Sequence, residues 1–226
     1  MSLLTIIEFP SSSDDSPTTI STLKSTLESL PTPLKPLHYH ISTHIAPPSP
    51  TQLTLEYPVQ PSKDQETTLL STLATSQSIS PSTVSISHIP LINPTSPFTP
   101  PFSPASTSPL STPVTEFVLS YFPTTTVTPT FRTTILSSFL HFNTLATASP
   151  APTGDQGLLA GWIENGPSHP DIDDSEGKTV ATTCFLVVRG WDSMKAYQEF
   201  VGREEFGKEY LPILLGWEAP FRMVSF

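Results

Sequence analysis

Apolar positions along this chain follow two alternating periods. "SLLTIIEF" (2–9), "LHYHISTHI" (37–45), "TQLTLEYPV" (51–59) and "STVSISHIPL" (82–91) are short runs rich in apolar and β-branched residues, bounded by Pro, Ser and Thr, and they predict strands. Between them, "SPTTISTLKSTLESL" (16–30), with Pro17 near its start, and "SKDQETTLLSTLATS" (62–76) carry the helical period. The order is β-α-β-β-α-β. It recurs after residue 113: "VTEFVLSYF" (114–122), a helix "TPTFRTTILSSFLHFNTLA" (128–146) opened by Thr128 and Pro129, and "LLAGWIE" (158–164). "KTVATTCFLVVRGW" (178–191) follows as a strand, then a helix "DSMKAYQEFVGREEF" (192–206) capped by Asp192 or Ser193, then "APFRMVSF" (219–226) as the closing strand.

A twice-repeated βαββαβ unit is the ferredoxin-like split motif, an antiparallel sheet with both helices on one face. The fold class expected is therefore α+β, with two tandem ferredoxin-like repeats pairing their uncovered sheet faces into an α/β barrel. Residues 1–92 form the first repeat, 93–112 a linker and 113–226 the second. The linker "NPTSPFTPPFSPASTSPLST" has no charge and favours extended conformations. Its Phe98 and Phe102 suggest that it lies against a domain surface.

Composition narrows the function. The 226 residues carry 20 acidic against 10 basic side chains, a net charge of −10 that repels nucleic acids and anionic membranes. Cys184 is the only cysteine, which excludes an intrachain disulfide framework, and its apolar surroundings predict burial. "MSLLTIIEFP" lacks the features of a signal peptide and no apolar run is long enough to span a bilayer, so a cytoplasmic protein is expected. No Gly-rich phosphate loop, nucleophile elbow or H-E-x-x-H occurs.

Candidate chemistry concentrates in "HYHISTH" (38–44), which holds three of the six histidines. Alternation places His38, His40, Ser42 and His44 on one strand face, with Leu37, Tyr39, Ile41 and Ile45 on the helix-facing side. On the adjacent strand Glu56 comes within reach of His38 or His40. Three readings stay open: a solvated or interdomain face, a metal site completed by His44 or Glu56, and an acid/base pocket. The last is adopted, with His38 or His40 as base, Glu56 orienting it, and His44, Ser42 and Trp162 binding substrate. Trp162, on the strand of the second half that corresponds to the histidine strand, is expected to add an apolar wall. His141 reads as a helix-surface residue, and His169 lies in an acidic loop without the order of a calcium loop.

The stretch "FLVVRGWDSMKAYQEFVGREEFGKE" (185–209) resembles the dimeric α/β-barrel superfamily, which includes antibiotic-biosynthesis-monooxygenase-like and stress-responsive barrel domains. A strand ending in Trp191 runs into a helix with Ser193, Tyr197, Phe200 and Phe206, which looks like its W-x-S-x-x-A-x-x-x-F pattern, and the whole resembles the tandem, single-chain type common in fungi. Trp191, Tyr197 and Phe200 have a plain role as aromatic packing between helix and sheet. The superfamily spans cofactor-free oxygenases, haem-degrading enzymes, decarboxylases, cyclases and isomerases, so the expected function rests on the histidine pocket: a small cofactor-independent enzyme of secondary-metabolite type, acting by oxygenation, cyclisation or isomerisation on an aromatic or polyketide-like molecule. The alternative is a non-catalytic ligand-binding or interaction barrel. Neither metal nor cofactor is expected, and the chain is either a monomeric pseudo-dimer or a homodimer.

Overall fold

The computed structural model describes residues 3–10, 17–43, 45, 50–92, 97–102, 108–148, 154–172 and 180–226. They form two compact units, residues 1–93 with 225–226, and 94–224. The first runs β1 (Leu3–Glu8), α1 (Pro17–Ser29), β2 (His38–Thr43), β3 (Thr51–Tyr57), α2 (Lys63–Ser76) and β4 (Ser85–Pro90). Its antiparallel sheet has the order β2-β3-β1-β4, the split-motif order the sequence period predicts.

Local chemistry explains the elements. Ser62 caps α2 by accepting the Gln65 backbone N–H, and the Gln65 side chain returns to the Ser62 N–H, a complete capping box. Leu69, Leu73 and Ala74 of α2 meet Leu23 and Leu27 of α1 over Ile7, Leu53 and Leu55 of the sheet, and all are buried. Each such side chain contributes roughly 1.5–3 kcal/mol when fully buried. Tyr39 and Ile41 of β2 pack on this core as alternation requires. Leu37 and Ile45 do not: they lie beyond the ends of β2, outside the cover of the helices, and are exposed.

One polar relay crosses this helix-facing side. His88 Nε2 lies 2.9 Å from Glu66 Oε1 on α2, and its Nδ1 lies 2.9 Å from Thr5 Oγ1 on β1. An ionised carboxylate only accepts, so Nε2 donates to Glu66 and Nδ1 accepts from the threonine hydroxyl. The relay ties α2 to two strands.

The second unit repeats the order: β5 (Val114–Pro123), α3 (Pro129–Thr147), β6 (Asp155–Gly166), β7 (Thr182–Trp191), α4 (Met194–Val201), α5 (Leu211–Leu215) and β8 (Phe221–Ser225), with sheet order β6-β7-β5-β8. Thr128 caps α3 with Pro129 following, and Ser193 caps α4 by accepting the Ala196 N–H. The single helix expected over 192–206 is instead broken. Gly202 stops α4 after eight residues, Phe206–Tyr210 makes a π-helical turn, and α5 follows. The apolar period continues past Gly202, so a reading by period alone does not register the break that this glycine makes.

Part of the linker docks on this unit. Phe98 is buried and stacks on Phe139 of α3, with 6.4 Å between ring centroids. Thr99 donates its N–H to the Leu158 carbonyl at 2.7 Å. Further along, Pro109 and Thr112 press on β7 so closely that a Cβ at Gly190 would stand 2.7 Å from Pro109 Cα. Cys184 is buried, and burial pushes its thiol up to about 12. His141 is exposed on α3, as expected.

Replacing His88 by Ala leaves Glu66 and Thr5 without their shared partner. The expected cost is about 1–3 kcal/mol of unfolding free energy in urea denaturation, the penalty for stranding a partly buried polar group. An unchanged midpoint would mean that the relay does not hold α2.

Candidate functional site

The β2–β3 register sets His38 opposite Glu56, His40 opposite Thr54 and Ser42 opposite Gln52, all on the sheet face away from the helices. His38 Nδ1 and Glu56 Oε2 are 2.9 Å apart. The pair is uneven, because the His38 side chain is 59% exposed and that of Glu56 only 11%. His40 is half-buried, and desolvation holds it below its ordinary value. Its cross-strand neighbour is a threonine, so Glu56 orients His38 and not His40. Ser42 is buried, with its hydroxyl 3.5 Å from the Gln52 carbonyl. His44 lies outside the described residues, among which no group of three His, Cys, Asp or Glu side chains could hold a metal ion.

Trp162 is elsewhere. It sits on β6 opposite Phe185, on the helix-facing side of the second sheet, with the Arg132 guanidinium 4.9 Å from its ring centre. Strand parity makes it the counterpart of Tyr39 and Ile41, not of the histidines. His169 is half-buried and tilted against the Tyr121 ring at 4.7 Å; the acidic residues Asp173, Asp174 and Glu176 fall outside the described residues.

The second unit contains a cavity of about 260 Å³ between the helix-facing side of its sheet and the cover made by α3, α4, the π-turn and α5. Phe139, Phe200, Leu211 and Trp217 are among its largely apolar walls. Leu215, Phe221 and Met223 also line it and are themselves exposed, so the cavity reaches solvent on that side. Trp217 Nε1–H donates to Ser138 Oγ at 2.9 Å, pinning the segment after α5 to α3. A pocket mostly apolar with a few converging polar groups is the usual form of a small-molecule site.

The polar groups are Glu116 and Arg189, directly opposite each other on β5 and β7. Glu116 is 9% exposed and accepts the Trp191 Nε1–H at 3.2 Å. Burial drives its carboxyl above the ordinary glutamate range; the Trp191 bond and the Arg189 charge oppose this, and Asp155 adds to it. Arg189 donates from Nη2 to Asn143 Oδ1 on α3, and its guanidinium carbon lies 5.8 Å from the Trp191 ring centre and 5.9 Å from that of Phe200. Tyr197 completes the group from α4: its hydroxyl donates to Met223 Sδ at 3.0 Å, and burial followed by the Glu116 charge raises its pKa.

Trp191, Tyr197 and Phe200 do pack between helix and sheet, with Trp191 centred 5.9 Å from Tyr197 and 5.2 Å from Phe200. Sequence reasoning missed that Trp191 also serves a carboxylate. The available signal was a lone charge in each of two apolar strands, Glu116 in "VTEFVLSYF" and Arg189 in "FLVVRGW". A charge at a core-facing position is more informative than any apolar residue beside it.

No family model matches the sequence, and no curated protein matches it. Solved structures match by fold. An anthrone oxidase-like protein superposes with a TM-score of 0.55 at 12% identity, covering 99% of this chain and 90% of its own. A candidate monooxygenase from Fusobacterium nucleatum subsp. nucleatum gives 0.51 at 9% identity, with 99% and 90% covered. A candidate monooxygenase from Lactobacillus acidophilus gives 0.50 at 10% identity, with 99% and 92% covered. At these identities the shared property is the fold alone. Among the described residues, no helix is long and apolar enough to cross a membrane.

Burial raises the Glu116 pKa in the folded chain, so its contribution to stability is complete below the ordinary glutamate value of 4.5 and is lost as pH rises through the folded-state value. Glu116→Gln removes this loss. Thermal melts should show the variant gaining on the wild type from pH 4.5 upward; a difference independent of pH would contradict the burial of an ionisable carboxyl.

Proposed function

We propose that this chain is a small enzyme that removes a proton from a flat aromatic or polyketide-like molecule held in the cavity of the second unit, with Glu116 as the base. The observation that carries this reading is a nearly buried carboxyl, Glu116, on the wall of a largely apolar cavity. Desolvation strengthens a carboxylate as a base, and a base poised nearer neutrality is the more efficient proton acceptor at physiological pH.

The aromatic walls suit a planar substrate, and the exposed apolar rim at Leu215, Phe221 and Met223 suits its entry. Glu116 takes the proton, and the electron pair stays on the substrate as a carbanion, enolate or phenolate. Such a species can cyclise, isomerise or donate electrons to dioxygen. Oxygenation is the outcome favoured, in keeping with the oxidase-like and monooxygenase-like names of the structural neighbours. The residues around the cavity do not suit a haem iron: among the described residues no histidine or cysteine lines it, and the Tyr197 hydroxyl is engaged with Met223.

A second reading keeps the acid/base chemistry in the first unit, where the 2.9 Å approach of His38 to Glu56 supports His38 as a base oriented by a buried carboxylate, with His40 and Ser42 on the same strand face.

Incubation with anthrone under air, followed by oxygen uptake and quinone absorbance, separates the two. Glu116→Gln should lower the rate about 10²–10⁴-fold, the usual range for loss of a general base, while His38→Ala leaves it unchanged. Loss in His38→Ala with activity retained in Glu116→Gln would move the site to the first unit.

A further inference from the structure

Of the chain's three methionines, Met1 lies outside the described residues, Met194 is half-buried on α4, and Met223 on β8 is 42% exposed. Met223 also lines the cavity, at the rim it shares with the exposed Leu215 and Phe221. Its Sδ accepts the Tyr197 hydroxyl at 3.0 Å. A thioether sulfur carries two lone pairs, and this bond occupies one of them, on the side toward α4.

We propose that Met223 is a reversible oxidation site at the mouth of the cavity: hydrogen peroxide converts it to a methionine sulfoxide of one configuration, and the new oxygen makes the rim polar and weakens the binding of apolar ligands. The effect on ligands rests on the reading of this cavity as a small-molecule site. In the step, the lone pair of Sδ that Tyr197 leaves open attacks one peroxide oxygen. The S–O bond forms, the O–O bond breaks, and the departing hydroxide takes up a proton to become water. Sulfur gives up an electron pair and the peroxide receives it. The sulfur becomes a stereocentre, and attack confined to one lone pair sets its configuration.

Tyr197 governs both the rate and the outcome. Its O–H draws on the electron density of the sulfur, so the bond slows attack as well as directing it. The tyrosine ring is held in turn by a T-shaped contact with Trp191, 5.9 Å between centroids, which keeps the donor in place. Cys184, the other sulfur nucleophile, does not compete: it is buried and its thiol is pushed up to about 12, so the reactive thiolate is scarce. At Met223 an apolar side chain becomes a polar one that holds water, and an apolar ligand passing Leu215 and Phe221 must strip that water. Hydrogen peroxide is also the form in which dioxygen leaves after taking an electron pair without inserting oxygen, so uncoupled turnover in this cavity would supply the oxidant at its mouth.

The test uses the full chain, native and unfolded in urea, treated with dilute hydrogen peroxide. Peptide mass mapping should show Met223 gaining an oxygen atom well before Met194 in the native chain. The Met223 peptide, released by proteolysis, is then divided between two methionine sulfoxide reductases, one for each epimer. One reductase should restore nearly all of the native-state product and the other little, whereas the product from the unfolded chain needs both. Tyr197→Phe should oxidise severalfold faster at Met223 and yield both epimers, a change that loss of packing at Trp191 alone does not produce. Nitrobenzene titrated by calorimetry should bind the oxidised protein about fivefold more weakly than the untreated one, the cost of desolvating one polar group at the rim, and peroxide should leave its binding to Met223→Leu unchanged. Met223 reacting no faster than Met194, a native-state product split evenly between the epimers, or nitrobenzene binding unaltered by complete oxidation of Met223 overturns the inference and leaves the cavity reading intact. Failure of nitrobenzene to bind the untreated protein removes the cavity reading and the effect on ligands with it, while the mass and epimer measurements still decide the oxidation site.

Discussion

Glu116 and Arg189 stand opposite each other on β5 and β7, and both leave water on the side of the sheet that the helices cover. Removing a charge from water costs several kcal/mol per ion after relaxation, so such a pair persists only where further groups satisfy it. Each of those groups comes from a different place in the chain: Trp191 from the end of β7, Asn143 from α3 and Asp155 from β6. Burial of the pair therefore depends on three strands and a helix being in register together. It also leaves the Arg189 Nε–H without a hydrogen-bond acceptor among the described residues.

The two units share a topology and differ in what fills it. In the first, Leu53 and Leu55 of β3 meet Leu23, Leu27, Leu69 and Leu73 in an apolar layer, with the Thr5–His88–Glu66 relay among the polar groups on the same side. In the second, β7 at the corresponding place carries Phe185, Val187 and Arg189, and the cover over them is broken at Gly202 into α4, a π-turn and α5. Short pieces joined by a π-turn cannot seal a sheet as one long helix does, and the space left is the cavity. The same order of elements thus carries an apolar core of leucines in one unit and a lined cavity in the other.

The order of strands and helices was legible in the sequence because alternation and helical period are local properties. So were the caps at Thr128 and Ser193 and the burial of Cys184, each set by residues a few positions apart. The approach of His38 to Glu56 was legible as well, since adjacency of β2 and β3 follows from the split motif. The role of Trp162 was not: choosing the side of a strand requires knowing the parity of its register, and one position exchanges the two faces. The site around Glu116 escaped for a related reason. Its members are 75 residues apart along the chain in the case of Trp191 and Glu116, and 46 in the case of Arg189 and Asn143.

By itself, then, the sequence determined the α+β class, the doubled βαββαβ order, the proline-rich connection and the acidic balance, because composition and short-range period suffice for these. Only the tertiary structure decided where a cavity opens, that Gly202 divides the last helical segment, and that two lone charges on separate strands face each other out of water. Those outcomes depend on sheet register and on helix cover, both products of contacts between residues far apart in the chain.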